Sequence, residues 1–286
     1  MSNYETKLNF PGDVVGKEIF TEFEDNNTLV VVVPCFNEFK RLPTSDFSQF
    51  IGQHNNIHFC FVNDASNDAS LDLLWKLKEV NAKHVSILDL KENVGKAEAV
   101  RQGMLFCCSN LTFNFIAFLD ADLSAPLSEL IRLYQIIKKE NLAFVFGARV
   151  AVYGSKIKRL AVRHYLGRVF ASMASVLLNM VIYDTQCGLK IFRTDIAEQL
   201  FNKPFLSRWL FDVEIIARLK LKYNEYDLIN IMREIPLYEW VEKGDSKIKL
   251  EEILLTPFYM ININYQYKKR RRKQELFYAG KQNNLD

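Results

Sequence analysis

Two aspartates separated by one small residue, Asp120-Ala121-Asp122, stand directly after the apolar run 111–119. The run is dense in β-formers, and a helical pattern opens at Pro126. A strand that ends in such a pair puts both carboxylates at its carboxyl edge, which is where ligands bind in open α/β sheets. Paired carboxylate oxygens are hard ligands, suited to Mg²⁺ or Mn²⁺ carrying a diphosphate. A plainer reading of the same residues is that Asp122 and Ser124 only cap the following helix.

Residues 28–33 are a continuous and, but for Leu29, β-branched run ending at Pro34, the pattern of a parallel strand covered on both faces. Strand-like runs recur at 57–62, 85–90 and 143–147, with helical patterns from 44, over 69–81, over 93–109 and over 126–140. This alternation predicts an α/β fold, a Rossmann-like and mostly parallel sheet with helices on both faces. Right-handed crossovers bring every strand's carboxyl end to one edge. Asn37, Asp64, Lys96 and Asp120 each follow a strand, so topology alone crowds them together. Beyond Gly147 the pattern changes. A long helix or helix pair is expected over 157–182, and a strand after the loop 184–188. Next come a helix over 209–223 with Asp212 and Glu214 near its start, a strand over 228–240, and a helix over 249–273.

Of the 286 residues 49% are hydrophobic and 25% charged, enough apolar material for a substantial core. The net charge of +3 hides an asymmetry: Lys268-Lys269-Arg270-Arg271-Arg272-Lys273 supplies six positive charges, so the remainder carries a net −3. A basic, aromatic tail on a mildly acidic body points to an anionic membrane surface as partner and not to nucleic acid. The five cysteines have no paired spacing and, with the four histidines, form no metal pattern. They read as free core thiols of a reducing cytosol. Residues 1–27 are polar and acidic, unlike a signal peptide. The apolar stretches 169–183 and 253–267 are too short and interrupted to span a bilayer. The expected organisation is an N-terminal extension over 1–27, a catalytic domain over 28–245 and a membrane-proximal tail over 246–286. The expected location is cytoplasmic, peripherally attached to the membrane.

Seven segments occur in a fixed order: Val31-Val32-Val33-Pro34-Cys35-Phe36-Asn37-Glu38, Val62-Asn63-Asp64-Ala65-Ser66-Asn67-Asp68, Glu92-Asn93-Val94-Gly95-Lys96-Ala97, Leu119-Asp120-Ala121-Asp122-Leu123, Gly147-Ala148-Arg149, the stretch from Asp184 to Arg193, and Trp209-Leu210-Phe211-Asp212-Val213-Glu214. Their order resembles the family 2 glycosyltransferases of GT-A fold, most closely the dolichyl-phosphate β-glucosyltransferase and polyprenyl-phosphate sugar synthase branch. The resemblance implies a donor site in which Pro34, Asn37 and Glu38 hold the nucleoside and Asp64 accepts a hydrogen bond from the base. It further implies that Lys96 lies near the donor, Asp120 lies on the ribose and metal side, and Asp122 ligates the metal. Arg149, Lys190 and Arg193 are implied to face the diphosphate or the acceptor phosphate, and Asp184 stands where relatives carry a candidate catalytic base.

The activity so implied is inverting, metal-dependent transfer of a hexose, UDP-glucose being the favoured donor, to a polyprenyl phosphate. Such a phosphate is largely dianionic near neutral pH and needs positioning rather than deprotonation. On that ground Asp184 reads first as a structural partner of Lys190 or Arg193, and Asp212 and Glu214 as helix-start residues. Two departures from the family pattern stand out. Ala65 replaces a glycine, implying a turn that needs no positive φ there or one slightly altered. Ser124 replaces a glutamine, a poorer metal-side ligand. The alternatives are a family member acting on a saccharide hydroxyl, which would need Asp184 or Asp212 as general base, a sugar nucleotidyltransferase, and a non-catalytic nucleotide-sugar-binding module. A nucleotidyltransferase should show a Gly-rich loop after its first strand, where this chain has Pro34-Cys35-Phe36-Asn37-Glu38.

Overall fold

A computed structural model describes residues 12–13, 28–158, 161–243 and 250–282. Of the extension expected over 1–27, all but residues 12–13 lie outside the described residues. The elements in chain order are β1 (Gly12–Asp13), β2 (Leu29–Cys35), α1 (Thr44–Gln53), β3 (Ile57–Asn63), α2 (Ser70–Val80), β4 (Val85–Leu90), α3 (Lys96–Asn110), β5 (Phe115–Leu119), α4 (Leu127–Lys139) and β6 (Phe144–Ala148). They continue with β7 (Lys156–Lys158), α5 (Ala161–Leu178), β8 (Leu189–Arg193), α6 (Thr194–Phe201), α7 (Phe211–Lys222), α8 (Glu225–Ile231), β9 (Met232–Pro236), β10 (Glu239–Val241) and α9 (Leu250–Gln282).

The main sheet runs β1-β4-β3-β2-β5-β8-β6-β9. Strands β4, β3, β2 and β5 are mutually parallel, as the strand–helix alternation predicts, and β6 and β9 are parallel to each other. Between these groups lies β8, antiparallel to both β5 and β6. Alternate residues of each strand enter different cores. Val30, Val32, Cys60, Val62 and Phe118 join α3, α6 and α7 on one face. Leu29, Val31, Val33, Phe59 and Ala117 join α1, α2 and α4 on the other. Burial on both faces explains why these strands read as uninterrupted apolar runs. On the first face Phe144 and Phe192 stack with ring centroids 4.6 Å apart, locking β6 to β8.

Two expectations need correction. The segment expected as a long helix or helix pair over 157–182 begins as a strand: β7 pairs in parallel with β10 in a separate two-stranded sheet, and the helix starts only at Ala161. The strand expected over 228–240 is three elements. Asn224 caps α8, its side-chain oxygen accepting from the Asp227 amide at 2.9 Å, so residues through Ile231 stay helical. The chain then forms β9, and Pro236 ends that strand before β10. All five cysteines are free, four of them buried and Cys108 half-buried, as expected of core thiols.

Candidate active site

The parallel strands deliver their following residues to one edge, and the carboxylates meet there. Asp120 follows β5, and its Oδ1 lies 2.5 Å from the Lys96 Nζ at the start of α3. The Lys96 ammonium is lowered by burial, but the charges of Asp120 and Asp212 override this and hold it above its ordinary value. Asp122 Oδ1 accepts from the Ser124 amide at 2.9 Å, and its Oδ2 lies 4.0 Å from the Arg41 guanidinium. Burial, then the charge of Asp120, pushes the Asp122 carboxyl above its usual range.

The capping alternative for Asp122 and Ser124 fails. Helix α4 starts at Leu127 behind Pro126 and has no side-chain cap, while Asp122 closes a turn within its own loop. Asp122 also sits where Leu123 takes φ 50°, so the loop is bent back and the carboxylates remain at the edge.

The donor set fits a hard divalent cation. Two carboxylates, one of them destabilised in its charged form by the other, carry negative charge that Mg²⁺ or Mn²⁺ would neutralise. Among the described residues no group of three or more His, Cys, Asp or Glu gathers around a common point. Were such a cation bound, Asp120 and Asp122 would be the residues to hold it, as fits cations that take their other ligands from substrate phosphates and water.

Asp64, expected to meet the base, is buried and already engaged. Its Oδ1 accepts from the Val94 amide at 2.7 Å, and its Oδ2 from the Gly95 amide at 2.9 Å and from Asn93 Nδ2 at 3.1 Å. Burial raises its carboxyl despite these donors. The first thing Asp64 does is therefore to shape the loop before α3. Asn37 ties this region to β2, its side-chain oxygen accepting from the Asn67 amide at 3.0 Å. Glu38 is buried and clamps Arg41 through two bonds of 2.9 and 2.8 Å. Pro34 lies within β2 opposite Val62. Ala65 adopts φ 51°, so the turn keeps the left-handed backbone that glycine favours. The expectation of a turn without positive φ is corrected, and the alanine there costs roughly 1–2 kcal/mol.

The basic residues divide. Arg149 follows β6 and binds Asp184 through Nε at 2.6 Å and Nη2 at 2.8 Å, while its amide donates to the same carboxylate at 3.0 Å. Lys190 is fully buried in β8, 2.6 Å from Asp212 and donating at 2.6 Å to the Cys187 carbonyl. Asp184 thus orients Arg149 and not Lys190 or Arg193. Asp212 is the partner of Lys190 and does not cap α7, which has no side-chain cap.

Arg193 requires correction as a phosphate ligand. Because β8 is antiparallel, Leu189 pairs with Leu119 at the site edge and Arg193 with Phe115 at the opposite edge. Four residues of strand separate the two positions by roughly 13 Å. Arg193 is instead paired with Asp195 at 2.8 Å.

Two residues given no role in the sequence analysis lie against these groups. Gly188 is one: a Cβ there would stand 2.0 Å from Asp120 Oδ2, and its carbonyl accepts from the Asp120 amide at 3.0 Å. Gly188→Ala should push the Asp120 carboxylate off its position and lower turnover about tenfold or more, the loss of roughly 1.4 kcal/mol of transition-state stabilisation. Steady-state kinetics on a variant with normal circular dichroism measures this, and unchanged kcat/KM would show that the carboxylate tolerates displacement. The other is Arg208, whose guanidinium packs over Gly95 and donates to Asn93 Oδ1 at 3.2 Å.

Set beside known proteins, this Rossmann-like sheet with its strand-edge carboxylate pair is a glycosyltransferase fold of GT-A type. The family model described as Glycosyl transferase family 2 matches residues 30–201, and the chain belongs to that family. A dolichyl-phosphate beta-glucosyltransferase of Dictyostelium discoideum is 32% identical over 242 residues, spanning 78% of this chain and 69% of that protein. One from Trichomonas vaginalis is 29% identical over 270 residues, 90% of this chain and 74% of the relative. Within the family the chain falls in this dolichyl-phosphate β-glucosyltransferase branch. Among solved structures, glucosyl-3-phosphoglycerate synthase from Mycobacterium tuberculosis superposes with a TM-score of 0.60 at 13% identity, covering 84% of this chain and 80% of that one. Mannosyl-3-phosphoglycerate synthase from Rubrobacter xylanophilus gives 0.61 at 14%, covering 87% and 75%. Both share the fold.

Proposed function

We propose that the protein transfers glucose, with inversion, from UDP-glucose to a polyprenyl phosphate such as dolichyl phosphate, working peripherally at the cytoplasmic face of a membrane. The glucosyl group and the lipid phosphate are those in the names of its relatives. The observation that carries the choice of acceptor is the state of the two carboxylates a hydroxyl acceptor would need. Asp184 has both oxygens occupied by Arg149 and by the Gln186 amide, and Asp212 is buried against Lys190. A phosphate nucleophile needs neither as a base.

In this reading Asp120 and Asp122 hold Mg²⁺ or Mn²⁺, which when bound supplies charge neutralisation for the departing diphosphate. Lys96 adds a fixed positive charge beside Asp120, and the loop shaped by Asp64 seats the nucleoside. Arg149, anchored by Asp184, supports the acceptor side. Purified protein incubated with Mn²⁺, polyprenyl phosphate and a panel of nucleotide sugars should yield an organic-extractable, acid-labile glycolipid from UDP-glucose first. Transfer to free oligosaccharide with no lipid product would overturn this reading.

Features of the exterior support the membrane reading. Among the described residues no helix is long and apolar enough to cross a membrane. Leu166, Val169 and Val176 of α5 and Phe258, Ile261 and Tyr265 of α9 are nonetheless exposed, and α5 packs against α9. The six cations 268–273 follow on α9 and are also exposed. An apolar face beside cations is the arrangement of an interfacial helix, and each cation contributes roughly 1 kcal/mol near anionic lipid. Replacing residues 268–273 by glutamine should abolish salt-sensitive sedimentation with anionic vesicles while sparing UDP binding. Equal sedimentation of both proteins at low salt would rule the cluster out.

A further inference from the structure

We infer that Tyr267 is a positioning residue through which α9 sets the loop beside the nucleotide end of the site, so that docking of α9 on an anionic lipid surface tightens donor binding. The inference rests on the membrane and nucleotide readings above and adds a regulation of that same site.

Helix α9 faces two ways. Met260, Ile263 and Tyr267 are buried in the core that α7 also enters, whereas the cations beginning at Lys268 are exposed. Tyr267 is therefore the last buried residue before the cationic run. Arg270, within that run, lies over its ring at 4.9 Å. On the inner side the Tyr267 hydroxyl donates to Glu214 Oε1 at 2.7 Å and accepts from Arg218 Nε at 3.1 Å.

Those two partners hold a loop. Glu214 is fully buried, and its Oε2 accepts from the Leu206 amide at 2.7 Å. Arg218 donates to the carbonyls of Lys203 at 2.8 Å and Pro204 at 2.7 Å, and its guanidinium lies 4.2 Å from the centre of the Phe205 ring. The residues that follow reach the site. The Arg208 carbonyl accepts from the Ala97 amide at 3.3 Å, and its guanidinium donates to Asn93, which in turn donates to Asp64.

Glu214 and Arg218 are themselves paired at 2.8 Å, and the single Tyr267 hydroxyl bonds to both, so the tyrosine and the loop they hold belong to one network. A phenylalanine at 267 would fill the same space against α7. What the hydroxyl adds is the link between the surface helix and the loop. Coupling of this kind is reciprocal: whatever lipid does to nucleotide affinity, nucleotide does to lipid affinity.

The test is calorimetric titration of UDP with Mn²⁺ into wild type and Tyr267→Phe, each alone and with phosphatidylcholine vesicles containing phosphatidylserine. Sedimentation and thermal unfolding are measured on the same samples. Vesicles should tighten UDP binding to wild type roughly fivefold, the lower range for coupled sites. Tyr267→Phe should sediment with the vesicles as wild type does, yet show the same UDP affinity with and without them. An equal vesicle gain in both proteins, or a UDP affinity lowered in Tyr267→Phe by the same factor with and without vesicles, would reduce Tyr267 to ordinary packing and overturn the inference. Wild type that sediments with vesicles without any gain in UDP affinity overturns the coupling alone. Wild type that does not sediment overturns the membrane reading and the coupling with it, and wild type that binds no UDP overturns the nucleotide reading and the coupling together.

Discussion

Asp122→Asn is expected to lower glycosyl transfer about a hundredfold or more, in a variant that melts at the temperature of the wild type. The expected size follows from the several kcal/mol that a bound divalent cation supplies to a transition state gaining charge, at about 1.4 kcal/mol per tenfold in rate. The fold survives because the bond that Asp122 makes to the Ser124 amide needs only an oxygen, which asparagine retains. The carboxyl is also pushed above its ordinary range by burial and by Asp120, so removing its charge relieves a local repulsion. Transfer assays with Mn²⁺, Mg²⁺ and EDTA, together with a melting curve, check both halves. Full activity of wild type in EDTA would end the metal-dependent reading.

Asp184→Asn should do the reverse, damaging stability more than chemistry. Burial alone would raise the Asp184 carboxyl, but the charge and hydrogen bonds of Arg149 override this and hold it at about 2. The folded value lies below the ordinary aspartate value near 3.9. Its stabilising contribution is therefore complete above about pH 4 and is lost as the pH falls toward 2, amounting to roughly 2–3 kcal/mol. Asparagine cannot balance the Arg149 charge, and removing one partner of a buried pair costs about 3–5 kcal/mol. Denaturant unfolding at pH 7 should show a loss of that size, with measurable turnover below the lowered melting temperature. A variant of unchanged stability and no turnover would instead make Asp184 a base and favour a hydroxyl acceptor. Arg193→Ala, at the far edge, should leave turnover near that of wild type.

The parallel half of the sheet was legible because both faces of each strand are buried, so the runs from Leu29, Ile57, Val85 and Phe115 read as continuous apolar segments. Topology then gathered Asn37, Asp64, Lys96 and Asp120 without further information. The direction of β8 was not legible, since Leu-Lys-Ile-Phe-Arg has the same composition whichever way it pairs. That one unknown moved Arg193 from the site to the opposite edge. Helix α8 carried a readable signal in Asn224 and Asp227, an N-cap and its third following residue, which the apolar run after it obscured. Nothing local marked Gly188, because its need for a bare Cα arises from Asp120, a residue 68 positions earlier in the chain. Arg208 was hidden for the same reason, its neighbour Gly95 lying more than a hundred positions earlier.

The place of β8 in the sheet also constrains the order in which the chain becomes secure during synthesis. Strands β2 to β6 have all emerged from the ribosome by residue 148, yet β5 and β6 do not touch each other in the finished sheet: each pairs with β8, which spans residues 189–193. Until that late segment arrives, β5 presents an open row of amides and carbonyls beside the two aspartates, and β6 has neither of its partners, since β9 is later still. Open strand edges invite pairing with other chains, and nascent chains of this size are exposed to that hazard. A nascent chain that has emerged past residue 148 but not yet to residue 189 would thus hold out the carboxylate-bearing half of the molecule with its central seam unclosed.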